Sequence, residues 1–170
     1  GARVILVDAD LRRSVMYIRW QFAVEGKERN SPGLAHYLAG NAGMEDVLYQ
    51  TEIENAFIVP TFRTVANPAL LLQNDRFSAM LDKLKEQFDV VPLNSVADGL
   101  QIAAHCDGAL LVVRGGVTPR RLVSASIAQL KKAGCPLLGT VLNRVKMESS
   151  PYYYRYARYG YYSHYAQSRG

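Results

Sequence analysis

The sequence has no long apolar segment and little cysteine. No run of about 18 or more apolar residues occurs, and no basic, apolar and small-residue signal opens the chain, so the pattern predicts neither a membrane-spanning helix nor a secretory signal. The two cysteines, Cys106 and Cys135, lie in apolar surroundings without CxxC or Cys/His spacing. We expect buried, reduced thiols rather than a disulfide or a metal site.

Aliphatic and acidic residues are both missing from the end of the chain. Residues 151–170 contain no Leu, Ile, Val, Phe, Asp or Glu, although eight of the eleven tyrosines lie there. Without aliphatic partners this segment lacks what a core element needs, and it is predicted to be a solvated, flexible tail that presents phenol hydroxyls. The eight tyrosines are Tyr152, Tyr153, Tyr154, Tyr156, Tyr159, Tyr161, Tyr162 and Tyr165.

The positive charge is concentrated in the same segment. The formal net charge is +5, and residues 151–170 contribute +3 of it through Arg155, Arg158 and Arg169. A basic tail can contact nucleic acid, anionic lipid or an acidic protein surface, and charge alone does not choose among these partners.

What is present before the tail is an alternation of short apolar runs and helical patterns, with 49% hydrophobic and 21% charged residues overall. Such an alternation predicts a doubly wound α/β fold with a mostly parallel sheet, in one domain over residues 1–147 that precedes a tail over residues 148–170. The predicted strands cover residues 4–7, 57–59, 88–91, 109–113 and 137–142, and the predicted helices cover residues 32–39, 44–49, 68–87, 98–104 and 119–133.

Two aspartates follow the first predicted strand. In open α/β sheets, ligands bind beyond the carboxyl ends of the strands, where Asp8 and Asp10 lie, and Arg12 and Arg13 follow at once. Carboxylates beside guanidinium groups suit a magnesium and phosphate site. The alternative is the capped start of a helix in which Asp and Arg form a surface ion pair.

Several segments together resemble one family in the same order along the chain. The stretch VILVDADLRR resembles the Walker A-prime motif of the bacterial tyrosine kinases known as BY-kinases, which are cytoplasmic kinase domains that work with capsule and exopolysaccharide co-polymerases. A C-terminal tyrosine cluster is the most distinctive feature of that family. The other matching segments are SPGLAHYLAG at residues 31–40, NPALLLQNDRF at 67–77, DGALLVVR at 107–114 and GTVLNRV at 139–145.

The resemblance implies a P-loop NTPase-like fold of the deviant-Walker type, related to MinD and ParA, that uses ATP and Mg²⁺. It implies that Asp8 and Asp10 serve magnesium and the attacking tyrosine hydroxyl, and that Arg12 lies near phosphate. Asn143 resembles the asparagine that contacts the adenine edge; its alternative role is that of an ordinary strand-end residue in a turn.

The resemblance also implies a biological setting. A protein of this kind is a protein-tyrosine autokinase that phosphorylates its own tyrosine cluster in trans and regulates capsule or exopolysaccharide polymerisation and export. Its expected partners are further copies in a ring-like homo-oligomer, a membrane co-polymerase or activator domain that is fused or separate, and a cognate tyrosine phosphatase. It would act at the cytoplasmic face of the bacterial inner membrane and bind no nucleic acid.

The sequence departs from the family pattern in two places. No GxxxxGK[ST] phosphate loop occurs, since the only Gly-Lys pair is Gly26-Lys27, and we expect that loop to precede Gly1. The family's FDVVxxDxPP strand carries a magnesium-binding aspartate. An ungapped comparison places Asn94 at that aspartate and Pro92 inside the strand, where a ladder hydrogen bond is lost. A comparison with about four or five residues missing between Val91 and Pro92 restores the strand, and we favour it.

Three alternatives to an active kinase stay open. The first is a catalytically inactive pseudokinase, which the ungapped comparison favours. The second is a ParA/MinD-like ATPase switch, which shares the deviant Walker architecture but needs no tyrosine cluster. The third is a module that binds RNA or polysaccharide by stacking its Tyr/Arg tail.

Overall fold

The computed structural model describes residues 1–14, 16, 31–95 and 98–145 of the chain. It divides into two compact units, Gly1–Asp107 and Gly108–Gly170, the second of which is described as far as residue 145. The predicted boundary between domain and tail at residue 147 lies outside the described residues, as do the eight tail tyrosines.

The first unit is built on a four-stranded sheet whose strands are β1 (Val4–Asp8), β2 (Tyr49–Gln50), β3 (Ala56–Val59) and β4 (Leu93–Asn94). The strand order is β2-β3-β1-β4, in which β1 pairs in parallel with β3 and β4, and β2 pairs antiparallel with β3. Strand β1 is apolar along most of its length because it lies between two neighbours and is covered by side chains, as a central parallel strand must be.

Short helices cover this sheet: α1 (Leu34–Leu38), a 3-10 helix (Glu45–Val47), α2 (Pro68–Leu72), α3 (Asp75–Gln87) and α4 (Gly99–Ala103). The longest, α3, buries one apolar stripe at helical spacing, formed by Phe77, Met80, Leu81 and Leu84. These side chains pack into one core with Ile5 and Val7 of β1 and their neighbours. The core therefore fixes the position of β1 and of the chain that leaves it.

The second unit contains β5 (Ala109–Arg114), α5 (Arg120–Lys132) and β6 (Leu137–Asn143). Strands β5 and β6 pair in parallel, with Arg114 opposite Asn143. Helix α5 ends before Gly134, whose φ of +74° is the left-handed conformation that commonly closes a helix. Four of the five predicted strands correspond to strands of the structure, and the parallel α/β architecture is confirmed.

Two of the predicted helices are wrong in detail. The helix predicted over residues 68–87 is two helices, because Asn74 adopts an extended conformation with φ −74° and ψ 144° and its side chain accepts a hydrogen bond from the Arg76 N–H, starting α3 anew. The helix predicted over residues 44–49 is a single 3-10 turn, after which Tyr49 enters β2.

The strand predicted over residues 88–91 is displaced, because β4 covers Leu93–Asn94 instead. Val90 forms an isolated bridge with Val4, while Leu93 and Asn94 pair with Val7 and Asp8, so all three contacts share one register. The Val7 N–H donates to the Pro92 carbonyl at 2.9 Å, but proline has no N–H to return to the ladder. In the described structure Val90, Leu93 and Asn94 therefore keep one register with β1, with Pro92 between them.

No helix in the described part of the chain is long and apolar enough to cross a membrane. Neither Cys135, which is buried, nor Cys106, which is half-buried, forms a disulfide.

Candidate functional site

Asp8 lies at the carboxyl end of the central strand and is 1% exposed. Its carboxylate accepts hydrogen bonds from three donors: the Asn94 amide at 3.2 Å, the Asp10 N–H at 3.3 Å and the Ser14 hydroxyl. The donors come from the neighbouring strand and from the turn that follows β1. A buried carboxylate held by three donors has a fixed position at the strand edge where ligands of parallel sheets bind.

Asp10 lies beside Asp8 in the turn after β1 and is 8% exposed. Its Oδ1 accepts a hydrogen bond from the Arg13 N–H at 3.0 Å, so one oxygen supports the turn. The structure therefore brings both predicted aspartates together at one strand end. The hydrogen bond from the Arg13 N–H to Asp10 is also of the kind that caps the start of a helix, which was the alternative interpretation of this segment.

Burial raises the pKa of Asp8 above its ordinary value, because the charged form loses its hydration. The hydrogen bonds from Ser14, Asn94 and the Asp10 backbone lower this pKa in part, and the nearby charge of Asp10 raises it further. Asp8 is thus a carboxylate that accepts a proton more readily than an exposed aspartate does.

The loop after β3 forms hydrogen bonds with the end of β1 and with the turn that follows it. The buried Thr61 hydroxyl donates to the Asp8 carbonyl oxygen at 2.6 Å, and the Val65 N–H donates to the Leu11 carbonyl at 2.9 Å. Gly33 packs so closely on this loop that a Cβ there would collide with the Pro60 carbonyl oxygen. Only glycine permits that approach, so the SPGLAHYLAG segment helps to hold the loop against the aspartates.

Arg12 is engaged with a residue that the sequence patterns did not single out. Its Nε and Nη2 donate to the Asp98 carboxylate at 2.8 and 2.9 Å, which is a bidentate ion pair. Asp98 is 6% exposed, whereas the Arg12 side chain is 46% exposed. The residue predicted to lie near phosphate is therefore held at one edge of its guanidinium group by a buried carboxylate.

The carboxylate and hydroxyl oxygens at this strand end suit magnesium only if waters and substrate phosphates complete its coordination. The described residues contain no group of three or more His, Cys, Asp or Glu side chains that could hold a metal ion. Magnesium, however, is commonly bound by one or two carboxylates together with waters and substrate phosphates. The Asp8 and Asp10 pair, next to the Ser14 hydroxyl, fits that mode and does not fit an all-protein cage.

Asn143 belongs to the second unit and ends β6. Its side-chain oxygen accepts a hydrogen bond from the Arg144 N–H at 2.8 Å, and its carbonyl accepts one from the Gly115 N–H at 2.8 Å. Its contacts are thus those of the strand-end turn, which was the alternative interpretation of this residue. Arg144 has a φ of +53°, so the chain bends sharply just beyond Asn143.

Sequence reasoning missed Ser14, Thr61 and Asp98. Thr61 and Asp98 reach the site across 53 and 86 residues, and no local pattern reveals such contacts. A signal existed only for Asp98, which opens the predicted helix over residues 98–104.

No family model matches the chain. The sequence is 36% identical to the tyrosine-protein kinase CpsD of Streptococcus agalactiae over 165 residues, which cover 94% of this chain and 69% of that protein. The structure is similar to the kinase domain of the Escherichia coli tyrosine kinase ETK, with a TM-score of 0.77, 27% identity and coverage of 88% of this chain and 58% of that one.

A second structural neighbour is the septum site-determining protein MinD of Pyrococcus horikoshii, solved with Mg-ADP, with a TM-score of 0.68, 25% identity and coverage of 86% of this chain and 59% of that one. The fold is therefore the P-loop NTPase-like α/β fold that these kinase domains share with MinD.

Proposed function

The chain belongs to the family of bacterial tyrosine-protein kinases, and on that basis we propose that it transfers the γ-phosphoryl group of ATP to tyrosine hydroxyls of its own C-terminal cluster. The observation that carries this proposal is the buried Asp8 carboxylate, held beside Asp10 at the end of β1. A pair of oriented carboxylates at that edge suits the activation of a hydroxyl and the binding of a metal–phosphate group.

The chemical step requires a proton acceptor. A tyrosine hydroxyl has a pKa of about 10 and is mostly protonated at neutral pH. As its oxygen bonds to the γ-phosphorus, the bond from that phosphorus to the β–γ bridging oxygen breaks and ADP leaves, while the phenol proton passes to a carboxylate oxygen of the Asp8 and Asp10 pair. Burial raises the pKa of Asp8, which favours the acceptance of a proton by its carboxylate.

The predicted site residues would also bind and orient the nucleotide. Asp8 and Asp10 would hold Mg²⁺ or its waters, and the ion supplies positive charge to the phosphates. Arg12 would contact a phosphate oxygen, and Asn143 the adenine edge. The Mg-ADP of the MinD neighbour supports a magnesium nucleotide as the ligand of this fold.

In this proposal residues 1–147 are the catalytic domain and residues 148–170 are the tail that carries the acceptors. The twenty residues 151–170 extend roughly 65 Å at about 3.3 Å each, enough to reach the site of a neighbouring copy. Each phosphate adds about −1.5 to −2 charges, so four phosphotyrosines would move residues 151–170 from +3 to about −3 to −5. Such a reversal would loosen a homo-oligomer that a basic tail holds together.

The wider setting follows from the family. The protein would regulate capsule or exopolysaccharide polymerisation and export together with a membrane co-polymerase or activator domain. A cognate tyrosine phosphatase would reset the tail. The proposed activity would then lie at the cytoplasmic face of the inner membrane.

A mixing experiment with full-length protein tests the transfer in trans. One partner carries Asp8→Ala and an intact tail; the other has a wild-type site and all eight tail tyrosines changed to Phe. We expect phosphotyrosine to form on the Asp8→Ala partner only when both partners and Mg-ATP are present. If wild-type protein phosphorylates its own tail but the Asp8→Ala partner stays unmodified in the mixture, transfer in trans is wrong.

An inactive pseudokinase is the second candidate, and one observation favours it. The residue beside Asp8 on β4 is Asn94, whose neutral amide supplies no negative charge to a metal ion. A site with two carboxylates instead of three would bind magnesium more weakly. In that case the protein would bind nucleotide without modifying its tail.

A further inference from the structure

We propose that Asp98 is a positioning residue that fixes the Arg12 guanidinium group for a nucleotide phosphate, an inference that rests on the proposed function. The two side chains come from segments 86 residues apart and meet in a bidentate ion pair, with Nε to Oδ2 at 2.8 Å and Nη2 to Oδ1 at 2.9 Å. Paired contacts of this kind fix the plane of the guanidinium group as well as its place.

The local structure around Asp98 does not require its carboxylate. Asp98 precedes α4, and its backbone carbonyl accepts the first hydrogen bonds of that helix, from Gln101 and Ile102. An aspartate at this position commonly caps the helix with its side chain, but no side-chain cap bond forms here. The buried carboxylate is turned toward Arg12 instead.

The ion pair lies along the same edge as the two aspartates. In the parallel pairing of β1 with β4, Asp8 is opposite Asn94. Arg12 and Asp98 each follow this pair by four residues in the sequence, and their side chains meet in the ion pair. Asp98 thus connects the exit of β4 to the segment that carries Asp8 and Asp10.

The pair leaves part of the guanidinium group available to an anion. Arginine has five N–H groups, of which the Asp98 contact uses the one on Nε and one on Nη2. The other three, two on Nη1 and one on Nη2, form a second edge that can donate to phosphate oxygens. A mobile arginine would lose rotamer freedom when it bound phosphate, whereas Arg12 has already lost it.

The test measures affinities of the full-length protein for ATP, ADP and AMP in Mg²⁺ buffer, by calorimetry, for wild type, Asp98→Ala, Arg12→Ala and the double variant. We expect Asp98→Ala to weaken ATP binding about three- to tenfold, the effect of mobilising one long side chain, and to leave AMP binding nearly unchanged. The double variant should bind ATP no more weakly than Arg12→Ala alone, since Asp98 acts through Arg12.

Two further variants separate positioning from folding. Asp98→Asn keeps the shape and one acceptor oxygen, and we expect a smaller loss of ATP affinity with an unchanged thermal midpoint. Asp107→Asn removes the carboxylate of the exposed Lys85 ion pair in the same unit and should leave all three affinities unchanged.

Equal losses for all three nucleotides, or losses that add in the double variant, would overturn the positioning role while leaving the proposed function intact. A wild-type protein that binds none of the three nucleotides would overturn the proposed function and, with it, the role of Asp98.

Discussion

Asp8 shows how one side chain can oppose the stability of the fold that holds it. Its carboxylate is buried and has three hydrogen-bond donors, yet burial still raises its pKa above the ordinary value of 3.8. The folded protein therefore holds a proton on Asp8 more tightly than the unfolded chain does. By linkage, its contribution to stability is fully present below the unfolded pKa and is lost as pH rises through the folded pKa.

This gives a prediction for Asp8→Asn. An amide keeps one oxygen for Asn94 and the Asp10 N–H, while its nitrogen can donate to the Ser14 hydroxyl. Because the buried charge is gone, we expect a higher thermal midpoint than wild type at pH 7, and a difference that shrinks as pH falls toward 4. Kinase activity should be lost in the same variant, as expected where stability and function conflict.

The control for that comparison is Asp107→Asn, which changes an aspartate that is 91% exposed. It should show no gain that depends on pH. If Asp8→Asn were less stable than wild type by the same amount at pH 7 and pH 4, the effect of burial on Asp8 would be contradicted.

At the residue scale, the sequence was sufficient to predict which side chains lie together when they are neighbours along the chain. Asp8 and Asp10 follow an apolar strand directly, and their proximity comes from two residues of backbone. The ion pair of Arg12 with Asp98 and the contact of Thr61 with the Asp8 carbonyl depend on how distant segments dock. No periodicity or spacing records such docking, so these contacts could not be predicted.

Among the secondary-structure elements, β4 is the one most affected by a single residue. Residues 90, 93 and 94 keep one register with β1, but the assigned strand is only Leu93–Asn94 because Pro92 lies in the middle. The Ile5 N–H donates to Val90 and the Val7 N–H donates to Pro92. In a regular parallel ladder, the N–H of residue 92 would donate to the Ile5 carbonyl oxygen. Proline has no N–H and cannot form this hydrogen bond.

We therefore predict that Pro92→Val lengthens β4 and stabilises the protein by about 0.5–1.5 kcal/mol, the usual gain from one hydrogen bond. Chemical unfolding and amide hydrogen exchange at Ile5 and Val7 measure this effect. Pro68→Ala is the matched control, since Pro68 occupies the first turn of α2, where its missing N–H has no partner in any case. A loss of stability in Pro92→Val would contradict the described register.

The errors at this scale have a common cause. The apolar pattern continues from α2 into α3, and only the cap at Asn74 separates the helices, which a search for periodicity does not detect. Tyr49 was predicted to be helical, but its ring packs edge-to-face on Phe62 and its hydroxyl donates to the Pro32 carbonyl. Tertiary contacts decided the conformation of this residue.

For the whole molecule, the alternation of short apolar runs with helical patterns was sufficient to predict the α/β class, and the structural similarity to ETK and MinD confirms it. The order β2-β3-β1-β4 could not be predicted, since strand neighbours follow from packing across the sheet. The tail is a different case, because its composition predicts only a solvated segment and its proposed role as phosphoacceptor comes from the family. The proposed phosphoryl transfer is what relates the carboxylate pair to the tyrosines of the tail.

The most direct test is phosphosite mass spectrometry of the full-length protein after incubation with Mg-ATP, comparing wild type with Asp8→Ala. The account predicts phosphate on several tyrosines between Tyr152 and Tyr165 in wild type and in the Asp107→Asn control, and none in Asp8→Ala. An unmodified tail in wild type, or equal modification in Asp8→Ala, would contradict it.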